Sequence, residues 1–382
     1  MTPNRPGDGS PAGSGGDRRE IDQAMPAAPE NHPPLPGRVV CWSYDHVVLP
    51  LPPRHRYPRH RFRLVRERLV AEGTLSPDRV RRAEPEDWEL LALVHEPGYL
   101  DALRQNTLSK AAKREIGLPF SPGLVERART AVHGTVQAAL SALRHGAAGN
   151  LGGGTHHAYA DRASGYCVLN DIAVAARYVQ HQRLAGRIAI VDLDVHQGNG
   201  NAAIFADDAS VFTLSVHGAS NWPYRKERSD RDVALPDGTD DAAYLAAVEG
   251  PLTEIFARFA PDLVFYQAGA DPLAADRLGR LALTREGLRR RDGRVFALCR
   301  EHGVPVVVTL GGGYGVPIEE TVEVHANTYR ELARSLAPAP VEVPGKTACP
   351  APADAPRGTA RRSLAANGRR NRLGQPEAAG KS

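Results

Sequence analysis

Arg187-Ile188-Ala189-Ile190-Val191-Asp192-Leu193-Asp194-Val195-His196-Gln197-Gly198-Asn199-Gly200 is the stretch that decides the fold. Its first half is short, rich in β-branched residues and almost continuously apolar, which suits a strand of a parallel sheet covered on both faces. Its second half sets two carboxylates and an imidazole at alternate positions. Side chains alternate along a strand, so Asp192, Asp194 and His196 share one face while Leu193 and Val195 take the other. Carboxylates at the end of a buried strand normally neutralise a cation, because unpaired buried charge is costly. A divalent metal fits.

Working outward, Ser210–Val216, Asp262–Ala268 and Val304–Leu310 are apolar runs of the same kind. Helical spacing fills the gaps. Leu245, Val248, Leu252, Ile255 and Phe259 mark one stripe, with Pro251 expected to kink it. Val125, Ala128, Val132, Val136 and Leu143 mark another. Thr284 reads as the N-cap of a helix carrying Leu288, Val295, Phe296 and Cys299. Strands alternating with helices imply a three-layer α/β/α fold with a mainly parallel sheet, in which ligands sit beyond the carboxyl ends of the strands. Residues 1–36 and 337–382 are rich in Pro, Gly, Ser or Ala and are expected to be disordered tails around a folded domain at 37–336. The second tail carries Arg361-Arg362 and Arg369-Arg370 and reads as a solvated basic segment.

Four polar segments fall at expected strand ends: Gly152-Gly153-Gly154-Thr155-His156-His157, the Asp192–Gly200 run, Ala268-Gly269-Ala270-Asp271, and Gly311-Gly312-Gly313-Tyr314-Gly315. Each alone reads as a turn, a cap or a packed histidine. Together, on one sheet, they read as a site. Asp194 and His196 offer one oxygen and one nitrogen ligand, and Asp271 is the best-placed third. Three protein ligands leave a position for water, the pattern of a catalytic zinc. His156-His157 offers two candidate bases, and Tyr314 a phenolic donor for an oxyanion.

Composition narrows the classes. The chain has 382 residues and a net charge of +4, with a basic excess that is mostly Arg, and is not read as nucleic-acid binding apart from the basic tail. Cys41, Cys167, Cys299 and Cys349 show no paired spacing, so neither a disulfide framework nor a C-x-x-C zinc site is expected. The polar, Gly/Pro-rich start does not read as a secretory signal, and no run approaches the ~20 apolar residues of a membrane span. The expectation is a cytoplasmic protein with no membrane partner.

Gly152–His157, Gly165-Tyr166-Cys167, Asp192–Gly200, Gly269–Asp271 with Asp276-Arg277-Leu278-Gly279, and Gly311–Tyr314 together resemble the histone deacetylase family of the arginase/deacetylase superfamily, over about residues 38 to 335. Gln197-Gly198-Asn199-Gly200, and the stretch from Asn221-Trp222-Pro223-Tyr224 to Pro236-Asp237-Gly238-Thr239, resemble bacterial class IV-like members. The resemblance implies zinc on Asp194, His196 and Asp271. It implies His157 as general base and acid, His156 as electrostatic assistant with Asp192 behind it, and Tyr314 as oxyanion donor. Gly165 and Tyr166, with Gly312 and Gly313, would bind substrate, and a structural K+ would sit near Asp192 and Ser215. Asn199, the expected orienter of His157, stands where most class I members have Asp, which implies a less basic His157. The arginase type binds two manganese ions with a further Asp two residues after the histidine. That position here is Gly198, so one ion is expected, zinc or ferrous iron.

The implied activity is a metal-dependent hydrolase of linear amides acting on acyl-lysine in protein. Acetylpolyamines or another small acylated amine are the alternative substrates, and a non-catalytic binding module with the same fold is the alternative class. The absence of a long insertion favours an open site. Acyl-chain length and oligomeric state leave no mark in the pattern.

Overall fold

The computed structural model describes residues 39–52 and 55–336. The two expected tails, with their arginine pairs and Cys349, lie outside the described residues.

Eight strands form one sheet: β1 (Val40–Ser43), β2 (Val80–Arg82), β3 (Ala147–Asn150), β4 (Ile188–Asp192), β5 (Val211–Gly218), β6 (Arg231–Leu235), β7 (Leu263–Gln267) and β8 (Val306–Thr309). Their spatial order is β2-β1-β3-β8-β7-β4-β5-β6, and every ladder is parallel. The chain leaves β3, skips two places to β4, runs outward to β6, and returns to fill the gap with β7 and β8. The strand order therefore reverses around β3, β8, β7 and β4. At such a switch point the loops leaving the carboxyl ends diverge and open a crevice.

The four apolar runs read as strands are strands: three are trimmed by one to three residues at each end, while β5 starts one residue later than expected and runs two residues further, to Gly218. Pairing in β4 stops at Asp192, not Val195, so Asp194 and His196 stand just past the sheet. The alternation survives the end of the ladder. Ile188 and Ile190 pack into the core on one face, while Ala189, Val191, Leu193 and Val195 pack into the core on the other. This two-sided burial is what a parallel sheet covered by helices requires.

The helix Pro122–His145 buries Val125, Ala128, Val132 and Val136, begins at Ser121, whose side chain accepts from the Leu124 N–H, and ends at Gly146 with φ +84°. Gly fits that left-handed position without a Cβ clash. Thr284 caps the helix Arg285–Glu301 as expected, its side chain accepting from the Gly287 N–H at 3.0 Å. The helix Asp241–Glu254 continues through Pro251 and then loosens into a wider turn over Ile255–Phe259, closed by the Ala260 N–H on the Ile255 carbonyl. Among the described residues no helix is long and apolar enough to cross a membrane.

Leu252 is fully buried on the face of Asp241–Glu254 that meets the sheet. Leu252→Ala is expected to cost about 2–5 kcal/mol in urea denaturation. A loss below about 0.5 kcal/mol would mean this face does not form core.

Candidate active site

Four strand ends deliver the site. At the end of β4, Asp192 turns back on its own chain, with Oδ1 accepting from the Asp194 N–H at 3.1 Å. Asp194 repeats the move, its Oδ1 accepting from the His196 N–H at 3.0 Å. These two steps tighten the backbone and aim Asp194 and His196 into the crevice. Beyond β7, Asp271 Oδ1 accepts from the Val195 N–H at 2.9 Å. Beyond β8, the Gly312 N–H donates to Asp194 Oδ2 at 2.7 Å. A Cβ on Gly312 would run into the Asp271 carboxylate, so only glycine lets this loop approach. One ligand atom each from Asp194, His196 and Asp271 lie within 4.8 Å of one another. His196 Nδ1 is 3.1 Å from both Asp194 Oδ1 and Asp271 Oδ2.

The loop after β3 carries the histidine pair. Asp171, at the start of the helix Asp171–His181, accepts from the Gly154 N–H at 2.9 Å and the Thr155 N–H at 2.7 Å, which fixes the loop. The rings of His156 and His157 are 3.9 Å apart. His156 Nδ1 lies 2.6 Å from Asp192 Oδ2, and His157 Nδ1 lies 2.6 Å from Asn199 Oδ1.

The loop after β8 carries Tyr314. Buried Arg61, from the first turn of the helix Arg61–Ala71, donates to the Gly313 carbonyl at 2.6 Å and the Gly311 carbonyl at 2.7 Å. Asp276 Oδ2 accepts from the Tyr314 N–H at 2.5 Å, and Arg277 Nε donates to the Tyr314 carbonyl at 3.2 Å. The phenol is thus aimed by three side chains. Gly313 is held at the back: it is not part of the cleft wall, and a Cβ there would meet Thr321 and His325. Gly312, the neighbouring residue expected at the substrate, lines the cleft.

These parts open into one cleft of about 530 Å³, lined by His156, His157, Asp194, His196, Gly312 and Tyr314. Gly165 and Tyr166 form part of its wall. Trp222, quoted in the sequence only as a mark of lineage, stands edge-on to His157 at 4.7 Å between ring centroids. A Cβ on Gly165 would strike its indole. Ser215 is brought beside Asp192 by the β4–β5 register, and its hydroxyl lies 3.0 Å from His217 Nδ1.

Sequence reasoning missed Arg61, Asp171, Tyr159 and the structural role of Trp222. Arg61 sits in a stretch dense with arginines, and nothing in the string separates it from Arg59 or Arg63. Asp171 follows Asn170, the side chain that caps the helix by accepting from the Ala173 N–H at 2.9 Å, and so reads as an ordinary first-turn acid.

Electrostatics divide the three imidazoles. For His196, burial pulls downward, but hydrogen bonds to Asp194 and Asp271 and both their charges prevail and push it up to about 10. For His156, burial also pulls downward, and the Asp192 and Asp194 charges lift it to about 9. For His157, burial is joined by the charges of His156 and His196, and the imidazole is held well below its usual value. Asp271 is pushed up, by burial first and then by Asp194. Two buried carboxylates that raise a neighbouring imidazole this far, with no Lys or Arg side chain among the described residues bonded to them, form a donor set suited to a divalent cation. The position two residues after His196 is Gly198, where a Cβ would collide with Asp192, so a second acidic ligand has no room there.

Residues 55–329 match the family description "Histone deacetylase domain". An uncharacterised protein of Picosynechococcus sp. is 48% identical over 294 residues, covering 77% of this chain and 98% of that protein. Histone deacetylase 2 of Arabidopsis thaliana is 34% identical over 253 residues, and the acetoin utilization protein AcuC of Bacillus subtilis 32% over 251. Those matches take in 64% and 60% of this chain and 65% of each relative. Among solved structures, an HDAC homolog complexed with SAHA superimposes with a TM-score of 0.68 at 26% identity, over 78% of this chain and 84% of that one. An HDAC homolog from Aquifex aeolicus gives 0.67 at 25%, with the same coverage. Site geometry, sheet order and sequence thus agree, and the chain belongs to the histone deacetylase family.

Proposed function

We propose that the protein hydrolyses the amide of acyl-lysine in a protein substrate. The observation that carries the reading is the convergence of the Asp194, His196 and Asp271 ligand atoms with the His156–His157 pair and Tyr314 on a single cleft. When bound by that triad, zinc supplies Lewis acidity and a water of lowered pKa; the oxygen-rich set would also accept ferrous iron. Asp192 and Ser215 would hold a K+ ion. Alternate acidic and glycine positions leave room for one divalent ion, and Asn199 keeps the reading closest to the class IV-like branch.

His157, neutral and oriented through Nδ1 by Asn199, presents Nε2 to the cleft, takes a proton from the attacking water, and returns it to the departing lysine nitrogen. His156, kept cationic by Asp192, adds positive charge beside the developing oxyanion. Tyr314 stays protonated because burial lifts its phenol well above the usual range, so its O–H donates to that oxyanion. Gly165, Tyr166 and Trp222 enclose the acyl-lysine stem and exclude water.

The charge of the mouth favours a protein over a polyamine substrate. Arg114, Arg277 and Arg280 line the cleft, and Arg56 lines the adjoining hollow beside Tyr314. Glu115 is the acidic residue among the cleft lining outside the metal triad, and Arg280 lies 3.4 Å from Asp237. A cationic rim repels a polycation and favours a neutralised acyl-lysine flanked by acidic or neutral residues.

Product amine should form from acetyl- or longer acyl-lysine peptides with zinc or iron present, faster with Glu flanks than with Arg flanks, and faster than from acetylpolyamines. Tyr314→Phe should lower kcat by about 100-fold or more with little change in KM. Faster turnover of acetylpolyamines would overturn the substrate class, and no turnover with either metal would make the chain a binding module.

The pH profile carries a second check. His157 works as a base only when neutral, and its pKa is lowered. The active form should therefore persist as pH falls to about 6.5, the ordinary imidazole value, and be lost below that point. An acid limb of kcat/KM centred above pH 7 would contradict the role given to His157.

A further inference from the structure

We propose that Tyr159 and Glu227 are positioning residues that dictate which way the Asn199 amide faces, and through it which ring nitrogen of His157 carries the proton. The proposal rests on His157 being the base. A carboxylate next to a histidine has two equivalent accepting oxygens, but an amide has an accepting end and a donating end. With Asn at this position, something must choose between them.

The structure shows a chain of bonds that makes the choice. Asn199 Oδ1 is 2.6 Å from His157 Nδ1. Asn199 Nδ2 donates to the Tyr159 hydroxyl at 2.8 Å. The Tyr159 hydroxyl donates to Glu227 Oε1 at 3.0 Å. An ionised carboxylate only accepts, so Glu227 claims the single phenolic hydrogen. Tyr159 is left with lone pairs toward Asn199, which only the NH₂ end can satisfy. The amide oxygen must then face His157, whose Nδ1 must carry the hydrogen, leaving the Nε2 lone pair for the cleft. With the amide reversed, its NH₂ would meet Nδ1, the hydrogen would move to Nε2, and the base would be lost.

Glu227 is tied to the same motif that holds Asn199. Its N–H donates to Gln197 Oε1 at 2.8 Å, and Gln197 Nε2 donates back to the Glu227 carbonyl at 2.7 Å. Arg162 covers the Tyr159 ring at 3.6 Å, which fixes the phenol from its other side. The segment carrying Glu227 and the loop carrying His157 thus meet at one amide.

The test is a set of kinetic cycles on the metal-loaded full chain with an acyl-lysine peptide. Tyr159→Phe removes the acceptor for Nδ2. Glu227→Gln keeps the shape but can donate to the phenol, which frees Tyr159 to donate to the amide oxygen instead. Each should lower kcat about tenfold or more while KM stays within about twofold. In the Asn199→Asp background either oxygen of the new carboxylate can accept, so the same substitutions should cost about twofold or less. Nitrogen-15 shifts of labelled His157 should show the hydrogen leaving Nδ1 in Tyr159→Phe and staying there when Tyr159→Phe is combined with Asn199→Asp. Equal losses in both backgrounds would reduce Tyr159 to packing and overturn the proposal, as would no loss with Asn199. Retained activity in His157→Ala would instead sink the base assignment itself, an outcome distinct from these.

Discussion

Two carboxylates, Asp194 and Asp271, are buried side by side at the carboxyl ends of adjacent strands, with no lysine or arginine side chain among the described residues bonded to either. That is the constraint around which the site is organised. Isolated charge in such a place costs several kcal/mol per ion. His196 answers part of it by lying 3.1 Å from both, and backbone N–H groups of Val195, His196 and Gly312 answer more. What is left is a demand for positive charge at one point, and an amide hydrolase has a use for a cation there.

Holding the carboxylates in place recruits charge from further out. Fully buried Arg291 donates to the Leu193 carbonyl at 3.1 Å and the Gly269 carbonyl at 2.8 Å, gripping the two segments that carry Asp194 and Asp271 from behind. Asp292 neutralises it at 2.8 Å and is itself bonded by Tyr266 at 2.5 Å and Thr328 at 2.7 Å. Arg61 does for the Gly311–Gly315 loop what Arg291 does for the ligand loops. Irregular backbone needs partners for its carbonyls wherever it is buried, and arginine, with five donors in one plane, supplies several at once.

The sequence was most legible where one feature repeated. β4, β5, β7 and β8 stood out because strands covered on both faces are continuously apolar. β2 and β6 escaped because they are edge strands: Val80-Arg81-Arg82 and Arg231-Asp232-Val233-Ala234-Leu235 are largely exposed and polar. β3 escaped for the opposite reason. Ala147-Ala148-Gly149-Asn150 is fully buried but small, since a Cβ on Gly149 would collide with Tyr329, whose hydroxyl bonds the Asn150 carbonyl at 2.9 Å. The Asp194, His196 and Asp271 cluster and the histidine pair were singled out by spacing and position at strand ends, and the structure brings them to one cleft. Arg61 and Tyr159 were not, because what gives each its role is a partner far along the chain: Arg61 acts on Gly313, and Tyr159 joins Asn199 to Glu227.

The account turns on a single cation between Asp194, His196 and Asp271. The most direct measurement is the metal content of the purified chain after saturation with zinc or ferrous iron and removal of excess, alongside Asp271→Ala shown by circular dichroism to be folded. One divalent ion per chain, lost in the variant, is the expected result. No retained ion in the unaltered chain, two ions per chain, or undiminished binding in Asp271→Ala would contradict it.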